Sequence, residues 1–74
     1  MSREQEINHL KCWLFRNATL RWNKSPSETA ELFKKYSLYK FVADCYDILH
    51  VSSYECALDE LERVLNANGV KVYA

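Results

Sequence analysis

A single glycine (Gly69) and a single proline (Pro26) punctuate the chain. That scarcity excludes collagen-like repeats, a Pro/Gly-rich disordered tract and the turn-dense sequence of a small β-barrel. It also excludes a Gly-rich phosphate loop. No run of about 18 apolar residues, of the kind that crosses a bilayer, is present. Cysteine is sparse and odd in number: Cys12, Cys45 and Cys56 stand far apart, with no Cys-x-x-Cys pair. A disulfide framework is not expected, and each thiol reads as a small buried apolar group. The opening stretch Met1-Ser2-Arg3-Glu4-Gln5-Glu6 is charged. It lacks the apolar run and small-residue cleavage site of a secretory signal, so the expected location is the cytoplasm.

Aromatic surface is plentiful. Of 74 residues 49% are hydrophobic, and three Phe, two Trp and five Tyr supply ten rings. A single domain of this length removes only about 60% of its unfolded surface from water. Ten rings exceed what a few short helices cover, so some are expected to face a partner or a second copy of the chain.

The formal net charge is zero, yet the charges are unevenly spread. Residues 1–40 hold eight basic side chains and four acidic ones; residues 41–74 hold two basic and six acidic. Either folding mixes the halves and the asymmetry means little, or the domain is dipolar and docks by opposite charge.

Hydrophobic spacing predicts four helices. The first runs from about Glu4 to Trp22. Ile7, Leu10, Leu14 and Ala18 form one face, and Trp13, Phe15, Leu20 and Trp22 widen the apolar area beyond a stripe. Asn23-Lys24-Ser25 ends it. Ser25-Pro26-Ser27-Glu28 is a start signal: a serine cap, proline at the first helical position and a glutamate reaching back. That second helix continues through Leu32, Phe33 and Tyr36. Ser37 is the expected cap of a third helix, Leu38 to about His50. Ser52-Ser53-Tyr54-Glu55 reads as a second capping box, with Ser52 as cap, opening a fourth helix from Tyr54 to about Asn66. Gly69 is the expected left-handed stop. The alternating tail Val70-Lys71-Val72-Tyr73-Ala74 either frays or adds an edge strand. The expected fold class is all-α, a compact bundle of four short helices, with residues 1–69 as one domain and 70–74 as a tail.

Residues that could carry chemistry are few. His9 and Cys12, and Cys45 and His50, make two pairs without the spacing of a structural zinc, so no metal is expected. Cys45 lies on an apolar helix face, where burial disfavours the thiolate, and His50 is about 140° away around the helix. The carboxylate pairs Asp44/Asp47 and Asp59/Glu62 read as ordinary solvated faces. No catalytic residue and no cofactor are therefore expected. The helix–turn–helix outline of Ser25–His50 suggests DNA binding, but its second helix carries Asp44 and Asp47 against Lys40, so nucleic acid is a poor fit. Tyr46, Asp47 and His50 share a flank at i, i+1 and i+4. The trio is either an Asp47–His50 pair with Tyr46 closing the core edge, or a recognition patch.

Leu32-Phe33-Lys34-Lys35-Tyr36, then Phe41 and Cys45-Tyr46-Asp47-Ile48-Leu49-His50, then Tyr54 and Leu58-Asp59-Glu60-Leu61 before Gly69, resemble a family of short bacterial proteins of unknown function. Its members typically read "LFKKY", "YD-LH", a short polar loop and an acidic helix. The resemblance covers roughly Leu10 to Gly69. It implies genes lying beside predicted toxins of the ADP-ribosyltransferase type, and hence an antitoxin-like or accessory protein. Leu32, Phe33, Tyr36, Tyr46, Asp47 and His50 are the motif positions. Relatives often carry a Thr-Thr-Gly-like loop where this chain has Val51-Ser52-Ser53, so a role needing glycine there is not implied.

The expected function is a small non-catalytic protein-binding module that neutralises or regulates a partner protein, such as a toxin-like enzyme encoded nearby. A self-associating homodimer burying Trp13, Trp22 or Tyr39, and a small DNA-binding regulator, are the alternatives. The candidate partner-binding residues are Tyr46, Asp47, His50, Tyr36, Trp13 and Trp22.

Overall fold

Three serines start three of the helices in the computed structural model, which describes residues 2–72. Ser2 caps α1 (Arg3–Arg21) in a capping box with Gln5. Ser25 caps α2 (Pro26–Lys35) in a box with Glu28, proline standing at the helix start as the sequence implies. Ser53 caps α5 (Tyr54–Ala67), its hydroxyl accepting from the Cys56 amide at 3.3 Å. The expected cap was Ser52. That hydroxyl instead donates back to the Ile48 carbonyl at 3.0 Å, which places the start one residue later.

The helix ends are equally specific. After α1, Asn23 adopts the left-handed conformation with φ 52°. The Lys24 amide donates to the Thr19 carbonyl and the Asn23 amide to that of Leu20, a Schellman closure. Gly69, at φ 80°, closes α5 the same way, through Val70 to Leu65 and Gly69 to Asn66. Ser37 stands at the N-cap position of the next helix, as expected, and its carbonyl accepts from the Phe41 amide at 3.0 Å, but its hydroxyl does not cap. At φ 55° it is also the left-handed stop of α2.

The predicted third helix is split. It forms α3 (Leu38–Asp44) and α4 (Tyr46–Leu49), with Cys45 at the bend at φ −104°, ψ 17°. The described residues are thus all-α, with five helices rather than four.

The long α1 packs on α2, α3 and α5, while α4 packs on α3 and α5. Leu14 and Ala18 from α1, Phe33 from α2, Leu38 and Val42 from α3 and Leu49 from α4 meet Ala57, Leu58, Leu61 and Leu65 of α5. Each large side chain buried in this way contributes about 1.5–3 kcal/mol. After Gly69 the chain turns back, and Val72 is itself buried in this core. Tyr73 and Ala74, which the tail expectation includes, lie outside the described residues.

Two corrections follow from packing. Trp22, a candidate for partner contact, is 3% exposed and belongs to the core; its indole Nε1 donates to Glu62 Oε2 at 2.7 Å. Cys12 and Cys56 are exposed rather than buried, and Cys45 is half-buried. Cys12 sits on the flank of α1 away from Leu14 and Ala18, and Cys56 lies on the side of α5 away from the buried Leu58, Leu61 and Leu65.

Opposite charges from the two halves of the sequence meet across the fold. Arg21 makes a two-pronged contact with Glu62, Nε to Oε2 at 3.0 Å and Nη2 to Oε1 at 3.3 Å, and also pairs with Asp59. Arg3 pairs with Asp47 at 3.0 Å, both largely exposed, so that contact adds about 0–1 kcal/mol.

Two stability predictions come from these contacts. Ser53→Ala should cost about 1 kcal/mol in denaturant unfolding, as should Ser25→Ala, whereas Ser52→Ala should cost clearly less. Equal losses at Ser52 and Ser53 would contradict the assigned start of α5. Glu62→Ala should cost about 2 kcal/mol or more, because it leaves the buried Trp22 N–H without its acceptor and takes from Arg21 the more buried of its two carboxylate partners. Glu62→Gln, which keeps an oxygen for the indole, should recover part of that loss in the same measurement.

Candidate functional site

Along one line of α1 stand Glu6, Leu10, Trp13, Asn17 and Leu20, separated by alternating steps of four and three residues. Such a line stays on one side of a helix. Here it borders α4 at its N-terminal half and α5 at its C-terminal half, forming a continuous seam. Side chains rather than closely packed backbones bridge α1 and α4, which leaves an open groove between them.

That first groove, about 360 Å³, is lined by Glu6, His9, Leu10 and Trp13 of α1 and by Tyr46 and His50 of α4 and its cap. Three of the candidate residues, Trp13, Tyr46 and His50, are therefore brought together. The Tyr46 and His50 rings stack, centroids 4.6 Å apart and 6° from parallel. The His50 Nδ1 lies 2.8 Å from the Tyr46 carbonyl oxygen. A carbonyl only accepts, so in this contact Nδ1 is the donor. Tyr46 is buried, and its hydroxyl donates to Glu6 Oε2 at 3.3 Å. Burial first, and then the neighbouring Glu6 carboxylate, push the Tyr46 phenol above its ordinary value. The Arg3 guanidinium lies 5.3 Å from the centroid of the same ring.

Asp47 is on the same short helix but does not pair with His50, the simpler of the two expectations for this trio. It reaches Arg3 instead. The His50 ring folds back onto the carbonyl of its own turn, and Asp47 is left to the cation that α1 presents.

The second groove, about 620 Å³, continues the seam toward the other end of α1. Asn17, Leu20 and Arg21 form one wall; Tyr54, Glu55, Leu58 and Asp59 of α5 form the other. Between the two grooves Trp13 meets Tyr54 edge-to-face, with ring centroids 5.1 Å apart and planes at 75°. Both rings stay well exposed, Trp13 at 49% and Tyr54 at 41%, and Leu20 is 75% exposed. Tyr54, Leu20, Glu6, His9 and Leu10 were not among the candidate residues. The spacing along α1 could have added Leu20 to Trp13, but Tyr54 lies 41 positions downstream of Trp13 and no local signal joins them.

The remaining candidates lie elsewhere. Trp22 is in the core, and Tyr36 lines a separate depression with Lys24, Lys34, Lys35 and Val70. Among the described residues no three His, Cys, Asp or Glu side chains converge as a metal would require. No helix among them is long and apolar enough to cross a membrane.

Comparison with known proteins gives a family but no function. No curated protein and no solved structure matches the chain significantly. The family model described as "Protein of unknown function (DUF3791)" matches residues 12–68, a span that begins in the middle of α1, ends just past α5 and holds Trp13, Tyr46, His50 and Tyr54. With more than half of its length accounted for in this way, the chain belongs to the DUF3791 family of proteins of unknown function.

Proposed function

We propose that this chain is a non-catalytic protein-binding module that docks its partner along the seam of α1 with α4 and α5. The observation that carries this reading is the Trp13–Tyr54 pair. It is two large rings held half in water at the junction of two grooves, although the core is complete without them. Tryptophan and tyrosine anchors near the centre of a patch are where interfaces concentrate their binding energy. The polar groups beside them are tied to one another, His50 to the Tyr46 carbonyl and the Tyr46 hydroxyl to Glu6, which suits a preformed surface better than a reacting centre. The resemblance to short bacterial proteins encoded beside ADP-ribosyltransferase-type toxins makes such an enzyme, from the adjacent gene, the partner to test. In that setting the role is antitoxin-like or regulatory, in the cytoplasm.

Two other readings fit less well. A helix–turn–helix regulator needs a second helix to enter the major groove. Here α3 stops at Asp44, its Lys40 is tied to Asp44, and α4 spans only Tyr46–Leu49. A homodimer across the same seam is favoured by the exposed Trp13, Leu20 and Tyr54 but would set the seam's carboxylates, Glu6 and Glu55, against those of the second copy.

Trp13→Ala and Tyr54→Ala should each leave the helical circular dichroism intact and lower stability by about 1 kcal/mol, the worth of the lost ring pair. Each should weaken co-purification with the co-expressed product of the adjacent gene by about 30-fold or more in dissociation constant. An unchanged complex with both variants would remove the seam as the docking surface.

A further inference from the structure

We infer that the occupant of the seam is an amphipathic helix of another protein carrying a basic flank, rather than a second copy of this chain. This rests on the docking reading above and adds the chemistry of the partner.

The shape argument comes from α1. From Glu6 to Leu20 this line, exposed at Glu6, Trp13 and Leu20 and half-buried at Leu10 and Asn17, extends over fourteen residue steps, roughly 21 Å at 1.5 Å per residue, or about four helical turns. Its alternating steps of four and three are the spacing by which one helix presents a seam to another. The Trp13–Tyr54 contact rises between the two grooves, so the complementary surface has two apolar projections with a smaller residue between them. The groove walls on α1 are centred about ten residues apart, roughly 15 Å, which sets the two projections between two and three turns apart on a partner helix.

The charge argument selects the occupant. Glu6 lies in the first groove, and Glu55 and Asp59 lie in the second. Among the described lining residues the one arginine or lysine is Arg21, and it is already engaged by Asp59 and by both oxygens of Glu62. Glu55, exposed at the start of α5, gives Arg21 its backbone carbonyl and not its carboxylate. The seam therefore presents carboxylates at both ends of an apolar line. A two-fold dimer places one patch against the same patch of its partner. In that arrangement the acidic rim of this seam would meet itself, and like charges across an interface are strongly unfavourable. Phosphate backbones are repelled on the same ground. A helix with lysine or arginine beside its apolar face meets opposite charge at Glu6 and at Glu55.

The test uses the full chain as bait for a display library of random amphipathic helical peptides, selected against wild type and re-scored on variants, with sedimentation of the free protein alongside. Expected are enriched peptides of net positive charge with bulky apolar residues two to three turns apart. Their binding should fall at least tenfold on Trp13→Ala and on Glu55→Lys, and several-fold between 50 and 500 mM salt. Among the described residues the Glu55 side chain makes no hydrogen bond or ion pair, and thermal melting of the variant checks that the helix start tolerates the change of charge. Enriched peptides that depend on Trp13 but are neutral or acidic would overturn the inference and leave the docking surface standing. Peptides indifferent to Trp13→Ala would overturn both. A wild-type dimer that Trp13→Ala dissociates would overturn the inference in favour of a second copy.

Discussion

Glu62 joins the two helices on which the candidate site depends. It is a carboxylate in the middle of α5, 7% exposed, and an unpartnered charge there would be prohibitively costly. Its oxygens are supplied from the last turn of α1, by the Trp22 indole at 2.7 Å and by two nitrogens of Arg21. The dependence runs both ways, because burying the Trp22 ring would otherwise leave an N–H without an acceptor. One residue thus compels α1 and α5 to cross at a fixed place and in a fixed rotation. About two turns back along α1, that rotation puts Trp13 beside Tyr54, and the seam is defined from there.

Such a short chain has to manage ten rings with little interior to put them in. Phe33 is the solution on the far side of α1. It is fully buried and meets Phe15 at 5.4 Å, Tyr39 at 5.0 Å and Trp22 at 6.1 Å between centroids. Rings that face other rings shield one another efficiently, and each such pair adds about 0.5–1.5 kcal/mol beyond its buried area. The surplus of aromatic surface is therefore smaller than composition suggests. It is also concentrated: among the described residues, Trp13 and Tyr54 are the rings left exposed, and they touch.

The features legible in the sequence are those fixed by a few neighbouring residues. Ser25-Pro26-Ser27-Glu28 and Gly69 act through hydrogen bonds to amides and carbonyls within one turn, so their roles can be read directly. The start of α5 is off by one because Ser52 and Ser53 offer overlapping signals, and the choice depends on which carbonyl Ser52 can reach behind it. The bend at Cys45 has no glycine or proline to announce it, and Ser37 holds a left-handed conformation that serine seldom takes. The site divides the same way. Tyr46 and His50, four residues apart, do share a flank, and Trp13 does lie outside the buried stripe of α1. The burial of Trp22 is decided by Glu62, forty residues on, and only the tertiary crossing brings Tyr54 to Trp13, so neither is legible from local spacing.

Charge is the property in which local and global readings differ most. The basic first half and acidic second half neutralise each other where they touch, through Arg3 with Asp47 and Arg21 with Asp59 and Glu62. What stays unneutralised decides how copies of the molecule meet. The seam retains Glu6 and Glu55, while the depression beside α2 gathers Lys24, Lys34 and Lys35. Left alone, these would attract in a head-to-tail contact, which does not close and propagates as a filament. Glu28 and Glu31 lie among those lysines and oppose that attraction. Hydrogen bonds from the backbone and hydroxyl of Ser25 lower the pKa of Glu28, so its charge persists to more acidic pH than an ordinary glutamate's. The same carboxylate that completes the cap of α2 therefore also weakens the open-ended association that the uneven charge of the sequence would otherwise invite.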